Sequence, residues 1–222
     1  MSTPLCFENV PFGHTAETMR IPAHHSVAVV GDVRSGPGGL AGLALGLEPT
    51  PPGGRVLVFD EEIAPMPRTK ALAFRRRVGY VPAGDGLLQN LSLEENVALP
   101  LRFGSALSTA DITGRLRIVL AVVRLAAAAA ALRPADADLD QRRRAAVARA
   151  LVFDPELVLL EQPFDGLSGR SSAELLEVVR GGETAEGGRR TVFITGRDLP
   201  ERIRPRLETV YRVVRGQLTT QA

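Results

Sequence analysis

A chain of 222 residues, 45% hydrophobic and 23% charged, has room for one full α/β domain with a small insertion; this balance excludes a disordered chain, and the single cysteine, Cys6, excludes a disulfide scaffold. A net charge of +2 with dispersed arginines gives nucleic-acid binding weak support. Lys70 is the one lysine among the 27 basic residues, and all three histidines lie in the first 25 positions, so lysine or histidine chemistry elsewhere in the chain is excluded.

In chain order, Ser26 to Val30 is a short apolar, β-branched run that stops at Gly31, which predicts a buried parallel strand. The glycine-rich turn Gly31 to Gly39 follows and opens into Leu40 to Leu47, whose leucines predict a helix. Arg55 to Phe59 alternates like a strand before an acidic turn at Asp60 to Glu62. Lys70 precedes a predicted helix at Ala71 to Arg77 and is expected to be solvated, and Val78 to Val81 reads as a second buried strand. From Gly84 to Asp140 the pattern turns leucine-rich and alanine-rich, which predicts an inserted helical subdomain; Ser92 and Glu95 carry a capping-box spacing, and Ala126 to Ala131 reads as a plain helix.

Gln141 to Leu151 predicts a helix with an arginine-studded face, capped at its start by Asp140, and Leu157 to Leu160 a buried strand. A helix at Ser171 to Arg180, a strand at Thr191 to Thr195 and a hairpin at Thr209 to Thr220 turning at Arg215-Gly216 complete the chain. Strands alternating with helices predict a mostly parallel sheet. The longest apolar stretch, Ile118 to Leu132, is broken by Arg124 and falls short of the ~20 residues of a membrane span, and no leader pattern opens the chain; a cytoplasmic location is expected.

A strand feeding a helix through a glycine-rich loop is how P-loop proteins cradle phosphate, with backbone N–H groups and the helix N-terminus as donors. The pattern is G-x-x-x-x-G-K-[ST]. Gly31 and Gly36 have its spacing, but Pro37 and Gly38 stand where the lysine and the Mg²⁺-binding hydroxyl belong, and Pro37 also lacks an N–H.

The order of further segments gives this loop its meaning. Glu48 to Val56, Arg75 to Val81, Glu95 to Leu101, Gln141 to Leu151 and Leu157 to Phe164 together resemble the ATP-binding subunit of ABC transporters, over roughly Pro4 to Leu218. The resemblance implies the P-loop ATPase fold of that family: a mostly parallel core sheet with an antiparallel β edge, built from residues 1–84 and 146–222, and an inserted helical subdomain over 85–145. It also assigns the site. Gly31, Arg34, Gly36, Pro37, Gly38 and Gly39 stand at the P-loop, and Ala83 at the Q-loop glutamine. Asp138, Leu139, Asp140 and Gln141 stand at the signature, Glu161 at the Walker B aspartate, Gln162 at the catalytic glutamate and Arg197 at the switch histidine.

Nearly every one of these positions has lost the family's chemistry. Gln162 cannot take a proton from water. Glu161 keeps a carboxylate, but its extra methylene moves the oxygen and Gly38 supplies no second Mg²⁺ ligand. Asp138 and Asp140 bring negative charge where the family donates hydrogen bonds to a γ-phosphate. The resemblance therefore implies weak ATP binding at most, poor support for Mg²⁺, and a pseudo-ATPase acting as a structural or regulatory partner.

By the same resemblance the chain dimerises, with itself or a second ATP-binding subunit, beneath transmembrane permease subunits on the inner face of the cell membrane. Each permease subunit would dock a short helix into a groove walled by Ala83 to Leu101. The stretches Gly86 to Leu91 and Glu95 to Leu101 are most similar to bacterial lipid-trafficking members of the lipid-asymmetry kind. Other readings stand beside these: an active ATPase with Arg34 or Arg197 in place of the lysine and Glu161 as the base, or a soluble regulatory module. Arg197 reads more simply as a solvated loop residue and Asp140 as a plain helix cap, and His14, after Phe12, as either a base-stacking ring or part of a surface turn.

Overall fold

The computed structural model describes residues 3–12, 15–31, 39–63, 66–181 and 189–221. His14, Arg34, Gly36, Pro37 and Gly38 lie outside them.

Among the described residues ten strands form two sheets. The larger is built from β3 (Ser26–Gly31), β6 (Val78–Val81), β7 (Leu157–Glu161), β8 (Thr191–Gly196), β9 (Thr209–Val214) and β10 (Gln217–Gln221), in the order β10-β9-β3-β8-β7-β6. All its neighbours run parallel except the hairpin β9-β10, which forms the expected antiparallel edge. Its central strands read as continuous apolar runs because both faces are covered. Ala28, Val30, Val158, Leu160, Val192 and Ile194 face one core, while Val27, Val29, Leu157, Leu159 and Phe193 face another.

The first core is closed by helices: α3 (Leu93–Gly104), α4 (Thr109–Val122), α5 (Ala127–Ala130), α6 (Leu139–Leu151) and α7 (Gly169–Arg180). The second lies under a four-stranded antiparallel sheet of β1 (Leu5–Phe12), β2 (Thr15–Ile21), β4 (Arg55–Val58) and β5 (Glu61–Glu62), together with α1 (Leu40–Ala44). Phe7 of the small sheet meets Phe193 of the large one with ring centroids 5.6 Å apart, so the two sheets share one aromatic contact across the core.

Several local expectations shift. The helix placed at Ala71 to Arg77 is α2 (Arg68–Arg75), which starts right after Pro67 because a proline can precede a helix without losing a helical bond; Lys70 is inside it and pairs with Glu61. The alanine tract gives only one turn, 127–130. The cap of α6 is Asp138, not Asp140: its carboxylate accepts from Gln141 N at 2.8 Å while Gln141 Oε1 accepts from Asp138 N at 3.0 Å, a reciprocal box that Asp140 cannot form. The predicted capping box of Ser92 and Glu95 is present at α3.

Gly79 decides how close α6 comes to the sheet. A Cβ there would sit 2.7 Å from Ala150 O, so only glycine lets the end of α6 rest on the outer strand β6. Among the described residues no helix is long and apolar enough to cross a membrane.

Candidate functional site

Parallel strands align their carboxyl ends, and in this sheet the register sets Val81 beside Leu160, Glu161 beside Thr195 and Val30 beside Gly196. The segments leaving β3, β6, β7 and β8 therefore emerge along one edge of the sheet, the place where open α/β sheets bind ligands. This brings Gly31, Ala83, Glu161, Gln162 and Arg197 to a common rim. Gly39 lies at the start of α1, where the side chain of Glu48 folds over it: a Cβ on Gly39 would be 3.0 Å from Glu48 Oε2.

Glu161 ends β7, and one of its oxygens, Oε2, already takes two donors: the Tyr80 hydroxyl at 2.9 Å and the Ala83 backbone N–H at 3.3 Å. Burial, and then the hydrogen bond to Glu161, push the Tyr80 phenol far above its ordinary pKa, so it stays protonated and remains a donor. Gln162 stands just past the strand with φ of 47°, its N–H donating to Thr195 O at 2.7 Å. Arg197 is exposed, and the ion pair near it belongs to its neighbour: Asp198 holds Arg212 at 2.7 Å.

The loop after β6 is tied from three further sides. Arg142 reaches Asp85 at 3.4 Å, Arg149 donates to Gly86 O at 2.8 Å and to Asp85 O at 3.0 Å, and Asn96, fully buried in α3, bonds Leu88 through both its amide oxygen and nitrogen. Asn96→Ala strands the N–H and C=O of Leu88 together, and should cost about 2 kcal/mol in urea unfolding. It should also speed hydrogen exchange at the Leu88 amide; unchanged exchange there would show that Asn96 does not hold the loop.

The signature positions are spent locally. Asp138 and Gln141 cap α6; Leu139 packs on the turn after β7, where a Cβ on Gly166 would come within 2.8 Å of it. Asp140 is in the first helical turn and bonds Arg144 Nε at 2.5 Å. Its charge is thereby largely neutralised, which leaves the repulsion expected from two aspartates resting mainly on Asp138. Phe12 is 1% exposed and packs edge-on against Phe7 in the core, so it offers no face to a base.

These residues do not fit a hard divalent cation. One oxygen of Glu161 is doubly engaged, Gly38 has no side chain, and the described residues include no cluster of three or more His, Cys, Asp or Glu able to hold a metal. Sequence reasoning missed Tyr80, Asn96 and Arg144; for Arg144 the advance signal was its i,i+4 spacing from Asp140, and for Tyr80 and Asn96 there was none.

A groove of about 470 Å³ runs along the outer edge of β6, lined among others by Arg75, Arg76, Tyr80, Pro100, Phe103 and Phe153. Of the stretch expected to wall such a groove, Ala83 to Leu101, only Pro100 lines it; the far wall is the end of α6 and Phe153 instead, because Gly79 brings that helix end against β6. Phe103 is 85% exposed, and Arg76 lies over the Phe153 ring.

No family model matches the chain. Among curated proteins it is 34% identical over 162 residues to the lipoprotein-releasing system ATP-binding protein LolD of Chromohalobacter salexigens, covering 72% of this chain and 67% of that one. It is 30% identical over 161 residues to the methionine import ATP-binding protein MetN 2 of Pseudomonas aeruginosa, covering 72% of this chain and 48% of the relative; the chain thus spans about half the length of such importers. Among solved structures, the dimeric post-hydrolysis state of the ATP-binding cassette MJ0796 bound to ADP and Pi superposes with a TM-score of 0.83 at 21% identity, covering 97% and 98% of the two chains. CbiO1 of Clostridium perfringens, part of the ABC transporter complex CbiONQ, superposes with a TM-score of 0.80 at 18% identity, covering 99% and 88%. At these identities the structures establish the fold.

Proposed function

The chain belongs to the ATP-binding subunits of ABC transporters, and from that premise we propose that it is a catalytically impaired member working as a structural or regulatory partner in a bacterial transporter. The observation that carries the reading is the Glu161 carboxylate, whose Oε2 is held by Tyr80 and Ala83 at the position where the family needs a metal ligand. Gln162 beside it supplies no base. ATP turnover of the purified chain should stay at background and be unchanged in Glu161→Ala and Arg34→Ala; a measurable rate that falls in either variant makes the chain a working ATPase with substitute residues.

Its partners in this reading are transmembrane permease subunits and a second ATP-binding subunit, or a second copy of itself, on the inner face of the cell membrane. The residues 85–145 form its helical subdomain. A lipid-related load is supported by the likeness to LolD, alongside the methionine importers. The groove beside β6 is where a short permease helix docks: it is lined by Pro100, Phe153 and the exposed Phe103, together with the cationic Arg75 and Arg76. Such a surface fits a segment that offers apolar side chains and at least one acidic one. Co-expressed with the permease encoded beside it, the chain should co-purify with it, and Phe103→Asp should cut recovery about tenfold, the loss of one exposed anchor. Undiminished recovery would place the contact elsewhere.

A further inference from the structure

Tyr80 belongs to two places at once. It lines the groove on the outer edge of β6, and its hydroxyl crosses to the next strand to donate to Glu161 Oε2 at 2.9 Å. The same oxygen accepts from Ala83, the first residue after Pro82 in the loop that leaves β6. We propose that Tyr80 is a positioning residue that relays occupancy of the groove to the Glu161 carboxylate and, through it, to the loop beginning at Ala83. The proposal rests on the docking reading of the groove.

The physical argument starts from β6 being an edge strand. It has a strand neighbour only on the β7 side, so an occupant on its open side meets the strand that carries Tyr80 directly. A hydrogen bond weakens steeply with lost distance and alignment, so a small displacement at Tyr80 changes its bond to Glu161. Because both donors share one oxygen, the carboxylate is a common node: what moves one donor alters the hold on the other. Glutamate matters here. An aspartate at 161 has one methylene less and would leave a gap between the strand end and the Tyr80 hydroxyl, whereas the longer chain closes it. The exchange that disfavours a metal site is the one that creates the relay.

The chain has two tyrosines and no tryptophan, so Tyr211→Phe leaves Tyr80 as its only tyrosine emitter. A carboxylate acceptor quenches phenol emission, which gives the bond to Glu161 a direct signature. In the Tyr211→Phe full-length chain, Glu161→Ala should raise Tyr80 emission about twofold, as expected on losing a charge-assisted partner, and Glu161→Gln should lie between the two. The groove is then filled chemically. With Cys6→Ala in place, Phe103→Cys is alkylated with N-benzylmaleimide, an exposed site whose change leaves the core intact.

Alkylation should shift Tyr80 emission, and the shift should vanish when Glu161 is alanine. An emission that does not respond to the filler, or that responds equally without Glu161, overturns the relay. The docking reading fails by a separate route, undiminished permease recovery with Phe103→Asp. Loss of recovery with no Glu161-dependent shift overturns the relay alone, and a Glu161-dependent shift with full recovery overturns the docking reading alone.

Discussion

Replacing Arg144 with alanine should produce the largest loss of stability of any single change discussed for this chain. The guanidinium is 9% exposed and joins three elements: Asp140 in the first turn of α6, Glu174 of α7 at 3.2 Å, and the Val123 carbonyl at the end of α4 at 3.0 Å. Removing it leaves two partly exposed carboxylates and a carbonyl without their common donor, and losing these charge-assisted hydrogen bonds from a buried guanidinium costs about 3 kcal/mol. For a chain of this size that lowers the melting temperature by roughly 10 °C. Arg144→Lys should recover less than half of the loss, because an ammonium cannot offer the planar fork that reaches all three acceptors.

The acid side of the stability curve provides a second readout. Arg170 first, and Arg144 with it, hold the Glu174 carboxyl below its ordinary value of 4.5. A depressed carboxylate stabilises the fold above that value, and its contribution disappears as pH falls through the folded one. In Arg144→Ala the fall in stability on acidification should therefore be shallower than in the parent chain. A melting temperature within 2 °C of the parent, or an unchanged acid limb, would show that α6 and α7 are held by their apolar contacts alone; the 2 °C threshold is about 1 kcal/mol at this size.

Mg-ATP should not saturate the chain below the millimolar range in calorimetry. The lost lysine, the lost hydroxyl and the missing N–H at Pro37 each remove a charge-assisted contact worth about 1.5–3 kcal/mol. Restoring Pro37→Lys, Gly38→Ser, Glu161→Asp and Gln162→Glu together should tighten binding on the order of a hundredfold or more, since two such contacts alone amount to that factor. Repair of Pro37 and Gly38 alone should bring back binding without turnover, because Gln162 still leaves no base. Micromolar affinity in the parent chain would mean that the loop finds other donors, Arg34 foremost, and would remove the basis for weak binding.

The central sheet was legible because its strands are buried on both faces, which leaves uninterrupted runs such as Ser26 to Val30 and Leu157 to Leu160. Of the small antiparallel sheet only β4, the strand expected at Arg55 to Phe59, was legible. Between Phe7 and Val10 the register of β1 shifts, which breaks the alternation a strand would show, and β2 buries only Met19 and Ile21, leaving Ala16, Glu17, Thr18 and Arg20 exposed. The cap of α6 was misplaced by two residues because two aspartates compete for it and only the partner at Gln141, three positions from Asp138, decides between them. The rim positions could be placed in order along the chain, since each follows a strand that the sequence shows plainly. What joins them could not, because the contact from Tyr80 to Glu161 spans 81 residues and depends on two strands lying side by side.

In α6, Arg149 holds the loop after β6 through the main-chain carbonyls of Gly86 and Asp85, and Arg142 adds the sheltered Asp85 carboxylate at 3.4 Å. The small sheet is laced instead by exposed ion pairs, Arg20 with Glu8 and Arg55 with Glu8 and Glu62. Dissolved salt screens exposed charges over about 8–10 Å and touches sheltered carbonyl bonds far less. Rising ionic strength therefore acts unevenly on the molecule, loosening the outer sheet while the loop between groove and rim keeps its shape.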